Sequence, residues 1–214
     1  VSHATLHNAE QLSAKGVLVG DWVVIQRAGD VIPEVVGAVE SRRTGKEKAF
    51  RMPSSCPVCG TAVVKDPELV KLRCPNASCP AQLEGGLLHF AKRDAMDLAG
   101  LGDKLARQVV AKGLVKDAAD LYELSLEQWS ELDRMGEKSA KNLLTQLERS
   151  RAVSLGRFLY ALGIPQVGER TGRDLAEHFG SVEKLMAADE EGLQKVPDVG
   201  PAVAASVRSW FAEP

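Results

Sequence analysis

The residues of clearest chemical use are the four cysteines, Cys56, Cys59, Cys74 and Cys79, the only cysteines in the chain. They are spaced Cys56-x2-Cys59, then fourteen residues, then Cys74-x4-Cys79. Zinc takes four soft donors at the corners of a tetrahedron. A two-residue spacer in a tight turn lets two thiolates face one ion, and a second pair closes the cage. Pro57 and Gly60 suit such a turn. The alternative is two disulfides, for which four cysteines allow three connectivities. The chain starts at Val1 with no basic stretch, apolar run and cleavage site behind it, so no export signal is visible and a reducing compartment is expected. Zinc is therefore the expected occupant. Four thiolates leave no open position for water, so the metal should hold the fold and do no chemistry.

Other catalytic chemistry is scarce. There is no Gly-x4-Gly-Lys phosphate loop, no His-Glu-x2-His and no Gly-x-Ser-x-Gly. His3 and His7 fall in a strand or turn and His89 and His178 in helical sequence, where structural or exposed roles are expected. Asp30 and Glu34 could form a carboxylate pair, but Asp30 reads as a turn residue.

A second constellation repeats. Aligned on one glycine, the copies are Leu98-Ala-Gly-Leu-Gly102-Asp-Lys-Leu-Ala106, Leu132-Asp-Arg-Met-Gly136-Glu-Lys-Ser-Ala140, Ile164-Pro-Gln-Val-Gly168-Glu-Arg-Thr-Gly172 and Val196-Pro-Asp-Val-Gly200-Pro-Ala-Val-Ala204, at intervals of 34, 32 and 32 residues. Each has apolar residues four and one before the glycine, a small residue four after it, and an apolar one seven after it: Val109, Leu143, Leu175 and Val207. That pattern predicts a helix, a glycine turn of positive φ, and a second helix packed closely through its small residue. Cations follow the glycine in three copies: Lys104 and Arg107, Lys138 and Lys141, Arg170 and Arg173, against Ala202 and Ala205 in the fourth. Backbone N–H groups and the positive helix end would then face a phosphate, reading backbone shape and no base. The pattern resembles the helix-hairpin-helix motif, a sequence-independent duplex-binding element. The bland alternative is a helical array for protein contacts with glycine C-caps.

The elements that must position these groups can be read around them. Residues 17–25 and 31–39 are rich in β-branched side chains and predict two strands joined by a turn at 27–30. Residues 41–51 carry five basic residues, one Glu and a Gly and read as a linker or exposed loop. After Cys79 the periodicity is helical to the end, with no long strand candidate. The expected fold is multi-domain: a small β module, a zinc knuckle of about 25 residues and an all-α region.

Composition excludes other classes. With 44% hydrophobic and 26% charged residues the chain is neither disordered nor fibrous, and no run is apolar enough to span a membrane. The 27 basic and 29 acidic side chains give a net charge of −2, so nucleic-acid binding cannot be argued from total charge; residues 1–79 carry +2 and residues 80–214 carry −4. Five Phe, two Tyr and three Trp are too few for a stacking platform, so a duplex or a protein is the expected partner rather than single strands.

A β segment, a four-cysteine knuckle and four such hairpins, in that order, resemble the C-terminal portion of the bacterial NAD-dependent DNA ligases. The likeness covers essentially the whole chain and rests on Val1-Ser-His-Ala-Thr-Leu-His-Asn8, Gly20-Asp21, Arg27-Ala-Gly-Asp-Val-Ile-Pro-Glu-Val35, His89-Phe-Ala-Lys-Arg-Asp-Ala-Met96 and Gly100-Leu-Gly102. It implies a partial β-barrel (an OB-fold) over 1–52 that clamps nicked duplex DNA through the minor groove, a four-cysteine zinc finger over 53–82, and four helix-hairpin-helix motifs over 83–214. By the same resemblance Arg27, Val31 and Ile32 touch DNA, and Gly100, Gly102, Gly136, Gly168 and Gly200 with the cations above face phosphate. The family's adenylating Lys-x-Asp-Gly tetrapeptide does not occur, since Lys65-Asp-Pro and Lys116-Asp-Ala fail it. NAD and magnesium would then serve a domain outside this chain, and the chain alone would seal nothing. The resemblance further implies a barrel whose first strand lies upstream, a BRCT domain after Pro214, a monomer, and work in the bacterial cytoplasm on nucleoid DNA. A stand-alone zinc-containing module of recombination or repair is the alternative, but such mediators place the hairpin before the zinc.

Overall fold

A computed structural model describes residues 1–28, 32–65, 72–76 and 78–212. The chain divides into two compact units, residues 1–76 and 77–214.

In the first unit, helix α1 (Ala9–Ala14) starts where the Asn8 side chain accepts the Gln11 N–H. Strands β1 (Val23–Ala28) and β2 (Ile32–Ala38) pair antiparallel, Val23 opposite Ala38 and Ala28 opposite Ile32, with an irregularity between Val24 and Ile25. The first strand is thus shifted from its expected place. Residues 17–22 form no strand, because Gly20 takes φ +102° and the Asp21 carboxylate captures the Leu18 N–H, leaving only a bridge from Val19 to Lys48. Arg27, expected in the turn, lies in the strand instead, and the turn itself falls outside the described residues. Thr5 adds a parallel bridge to Glu34. Among the described residues this is a two-stranded sheet and no closed barrel.

Residues 41–51 are not a simple linker. Arg43 donates from Nε and a terminal nitrogen to both Asp21 oxygens at 2.9 and 2.8 Å, and again to the Gly16 carbonyl at 2.8 Å. Asp21 is 1% exposed, and the Arg43 guanidinium, followed by the Leu18 N–H, holds its carboxyl down at about 2. A bidentate pair of this kind fixes geometry as well as charge. It matters here because Val35 and Cys56 are the only buried apolar residues described in this unit. So small a core needs polar and metal staples. A short ladder of β3 (Val64–Lys65) and β4 (Leu72–Arg73) completes the unit.

The second unit is helical: α2 (Pro80–Phe90), α3 (Asp103–Ala111), α4 (Leu126–Ser130), α5 (Glu137–Ser150), α6 (Leu155–Ala161), α7 (Glu169–Phe179), α8 (Val182–Ala187), α9 (Glu190–Leu193) and α10 (Pro201–Ala212). The repeat explains its packing. Residues four before the glycine (Leu98, Leu132, Ile164, Val196) and seven after it (Val109, Leu143, Leu175, Val207) are all at most 3% exposed. The small residues Ala106, Ala140, Gly172 and Ala204 are buried between them. Two apolar cores result, one around Leu87, Leu121, Trp129 and Leu143, the other around Leu159, Leu175, Leu193 and Val207.

Two backbone bonds recur in all four hairpins. The residue before each glycine donates to the carbonyl three back (Leu101 to Leu98, Met135 to Leu132, Val167 to Ile164, Val199 to Val196) at 3.0–3.1 Å. Each glycine carbonyl then accepts from the small residue four on, at 2.9–3.0 Å. The expectation of positive φ at the aligned glycine fails. Gly102, Gly136 and Gly168 are extended N-caps at φ −100°, −84° and −84°. The left-handed residue stands two places earlier: Gly100 (+106°), Arg134 (+64°), Gln166 (+66°) and Asp198 (+61°). The turn reverses there, and the glycine opens the helix.

Candidate nucleic-acid interface and metal centre

The cysteine loop is built by local backbone bonds. Cys56 N–H donates to Thr61 O at 2.8 Å and Gly60 N–H to Cys56 O at 2.9 Å, with Gly60 at φ +73°. Cys79 is the N-cap of α2, with Pro80 in the first turn. The four sulfurs all lie within 4.8 Å of one another, the Cys59 and Cys74 sulfurs at 3.4 Å, and none is in a disulfide. Thiolates at about 2.3 Å from a tetrahedral zinc stand nearly 4 Å apart, so the cluster fits that ion. Its electrostatics agree. The N–H groups of Cys59 and Val58 pull the Cys56 thiol below its ordinary value. Cys74 receives the Asn76 N–H, yet burial and the sulfurs of Cys59 and Cys56 push it up to about 12. So many sulfurs cannot all ionise without a cation among them. Cys56, Cys59, Cys74 and Cys79 can therefore hold zinc.

The hairpin glycines have a different character. A Cβ built on Gly102, Gly136, Gly168 or Gly200 would meet nothing within 4 Å, and none of the four is left-handed. No contact among the described residues therefore requires glycine at these positions. Helices α3, α5 and α7, which begin at the first three, have no side-chain cap, nor have α2 and α6, whereas α1, α4, α8 and α9 are capped by Asn8, Ser125, Ser181 and Asp189. The uncapped N–H groups at a bare glycine turn form an open, partly positive concavity into which an anion can settle. In the fourth copy Pro201 removes one of those donors at the start of α10.

The cations divide into two kinds. Lys104 and Lys138 are exposed and have no ion pair or hydrogen bond among the described residues. The other four are paired. Lys141 bonds Glu137, Arg173 bonds Glu169 at 3.0 Å, Arg170 meets Asp198 at 3.0 Å and Asp174 at 3.7 Å, and Arg107 lies 3.6 Å from Glu84. Spacing accounts for the i,i+4 pairs of Lys141 and Arg173, but not for Arg107 with Glu84 or Arg170 with Asp198. In the first unit Arg27 and Ile32 are exposed on the sheet, opposite Pro33 and Ala28, while Val31 lies outside the described residues. Glu34 accepts from Gln26 at 2.6 Å and lies 2.7 Å from His7 Nε2, while Asp30, its expected carboxylate neighbour, lies outside the described residues. The left-handed positions Arg134, Gln166 and Asp198 were missed from sequence, since Gly, Arg, Gln and Asp share no signal at that register.

Four family models match this chain. That of the NAD-dependent DNA ligase OB-fold domain covers residues 1–47, and that of the NAD-dependent DNA ligase C4 zinc finger domain covers 55–81. A SAM-like helix-hairpin-helix tandem covers 92–149 and a helix-hairpin-helix motif covers 157–214. Proteins named DNA ligase are similar throughout: that of Methylococcus capsulatus is 54% identical over 100% of this chain and 32% of its own length. Those of Pelotomaculum thermopropionicum and Geobacter sulfurreducens are each 50% identical over 99% of the chain and 31% and 32% of theirs. The chain spans about a third of the length of the curated relatives it matches. Among the described residues no helix is long and apolar enough to cross a membrane.

Proposed function

We propose that the chain, whose parts match the OB-fold and zinc-finger models of the NAD-dependent DNA ligases, is a portion of such a ligase, the part that grips nicked duplex DNA while strand joining is carried out elsewhere in the protein. The observation that carries this reading is the set of uncapped helix starts at glycines where no described residue would crowd a side chain. Three such turns, each beside Lys104, Lys138 or Arg170, bind phosphates without reading bases.

In the division 1–52, 53–82 and 83–214, the first segment presents Arg27, Val31 and Ile32 to the minor groove, the zinc knuckle braces the chain, and the hairpins hold the backbone. The chain's share of the reaction is positioning: it keeps the 3′-hydroxyl in line with the 5′-phosphate at the nick. NAD supplies the adenylate, with magnesium, in a domain that contains the missing Lys-x-Asp-Gly. The chain acts as a monomer, in the cytoplasm, on the nucleoid.

Fluorescence anisotropy with nicked and intact duplexes of unrelated sequence tests this. Binding should be indifferent to sequence and fall steeply with salt. Incubation with labelled NAD should leave no covalent adenylate on the chain. Affinity independent of salt would favour a helical array for protein contacts.

A further inference from the structure

Helix α6 stands in both helical cores. Phe158, Tyr160 and Ala161 pack with the first, Leu155 and Leu159 with the second. Its Gly156 touches the backbone of α7, the second helix of the third hairpin. The next residue reaches far back along the chain: Arg157 Nε donates to the Ala95 carbonyl at 2.8 Å, and a terminal nitrogen donates to the Arg93 carbonyl at 2.7 Å. Those carbonyls belong to the turn between α2 and the first hairpin, where Asp97 is left-handed and Leu98 N–H bonds Ala91 O. His89 of α2 adds a 2.7 Å bond to the Tyr160 carbonyl, with its ring edge-on to the Tyr160 ring.

We propose that Arg157 is a positioning residue for duplex binding, fixing the phase between the phosphate-facing turns of the first and third hairpins so that both engage one duplex. This rests on the duplex-binding reading above. Two weak phosphate sites act as one strong site only when their spacing allows simultaneous engagement; a loose joint forfeits that gain without removing a contact. Arginine suits the task because its planar fork stays charged and meets two carbonyls in a fixed geometry, which the rotatable donors of an ammonium do not impose. Arg157 itself touches neither proposed phosphate turn.

A double-mutant cycle on the full chain tests the proposal, with affinity for nicked duplex as readout. Arg157→Ala should weaken binding about tenfold in the parent and about twofold or less beside Gly102→Val, where the first hairpin no longer contributes. Arg157→Lys should fall between parent and Arg157→Ala. Equal fold losses in both backgrounds would overturn the proposal, since Arg157 would then act only on folding. Melting curves confirm that each variant is folded at the assay temperature, and if Arg157→Ala is not, the lysine variant carries the cycle. If Gly102→Val and Gly168→Val both bind as the parent does, the duplex reading itself fails and the proposal falls with it.

Discussion

Gly156 and Gly172 meet backbone to backbone: a Cβ on Gly172 would lie 2.8 Å from the Gly156 carbonyl oxygen, and one on Gly156 would lie 2.9 Å from the Arg173 Cα. Four residues before Gly172, Gly168 has open space around it. One turn of helix thus holds a glycine kept for packing and a glycine that packing does not need.

These two glycines should respond oppositely to substitution. Gly172→Ala forces α6 and α7 apart and should cost about 1–3 kcal/mol in urea unfolding. Gly168→Ala should cost about 1 kcal/mol or less, the ordinary preference at an N-cap. In duplex affinity the order reverses for Gly168→Val, whose side chain blocks the turn. A Gly172→Ala protein as stable as the parent would mean that α6 and α7 can separate freely.

The lysines and the arginines should differ in salt dependence. Replacing Lys104 and Lys138 by Ala should lower the slope of log affinity against log salt by about two, since each is free to displace counterions. Replacing Arg170 and Arg173 should lower it less, because Asp198, Asp174 and Glu169 already neutralise them. Anisotropy titrations over a range of salt give both slopes, and identical values would show that these ion pairs dissolve on binding.

Acid should loosen the first unit through Asp21. Its carboxyl is lowered from 3.8 to about 2, chiefly by Arg43, so the pair's stabilisation is complete above pH 3.8 and lost as pH falls through about 2. Unfolding followed by Trp22 fluorescence should show a loss in that window that Asp21→Asn reduces. Glu34 and Glu47 are also lowered and will leave some acid sensitivity in the variant. An acid profile unchanged by Asp21→Asn would remove the strap role assigned to Arg43.

Metal removal should unfold the knuckle. The chain should contain one zinc after dialysis, and Cys59→Ser should lose it along with several kcal/mol of local folding free energy. Metal analysis and circular dichroism report the two effects separately. Retention of both the metal and the parent melting transition by Cys59→Ser would falsify a closed four-thiolate site.

The sequence by itself determined the four-cysteine site and the helical array, because both follow from short-range spacing. Zinc chemistry restricts thiolate separations, and Leu98, Ala106 and Val109 recur at a register that only a helix pair buries on one side. It did not determine where β1 begins, since a valine-rich run looks the same before and after Gly20 and Asp21. That boundary depends on Asp21 capturing Leu18 N–H and Arg43. Nor could it place the left-handed residue of each hairpin, which the turn imposes on Gly100, Arg134, Gln166 and Asp198 alike. The pairing of Arg170 with Asp198, 28 positions away, and of Arg157 with the carbonyls of Arg93 and Ala95, exists only once the hairpins are packed. Glu137–Lys141 and Glu169–Arg173 lie four positions apart on one helix and can be read along the chain, but only tertiary structure gives Arg107 its Glu84 and Arg170 its Asp198, because those partners meet through space.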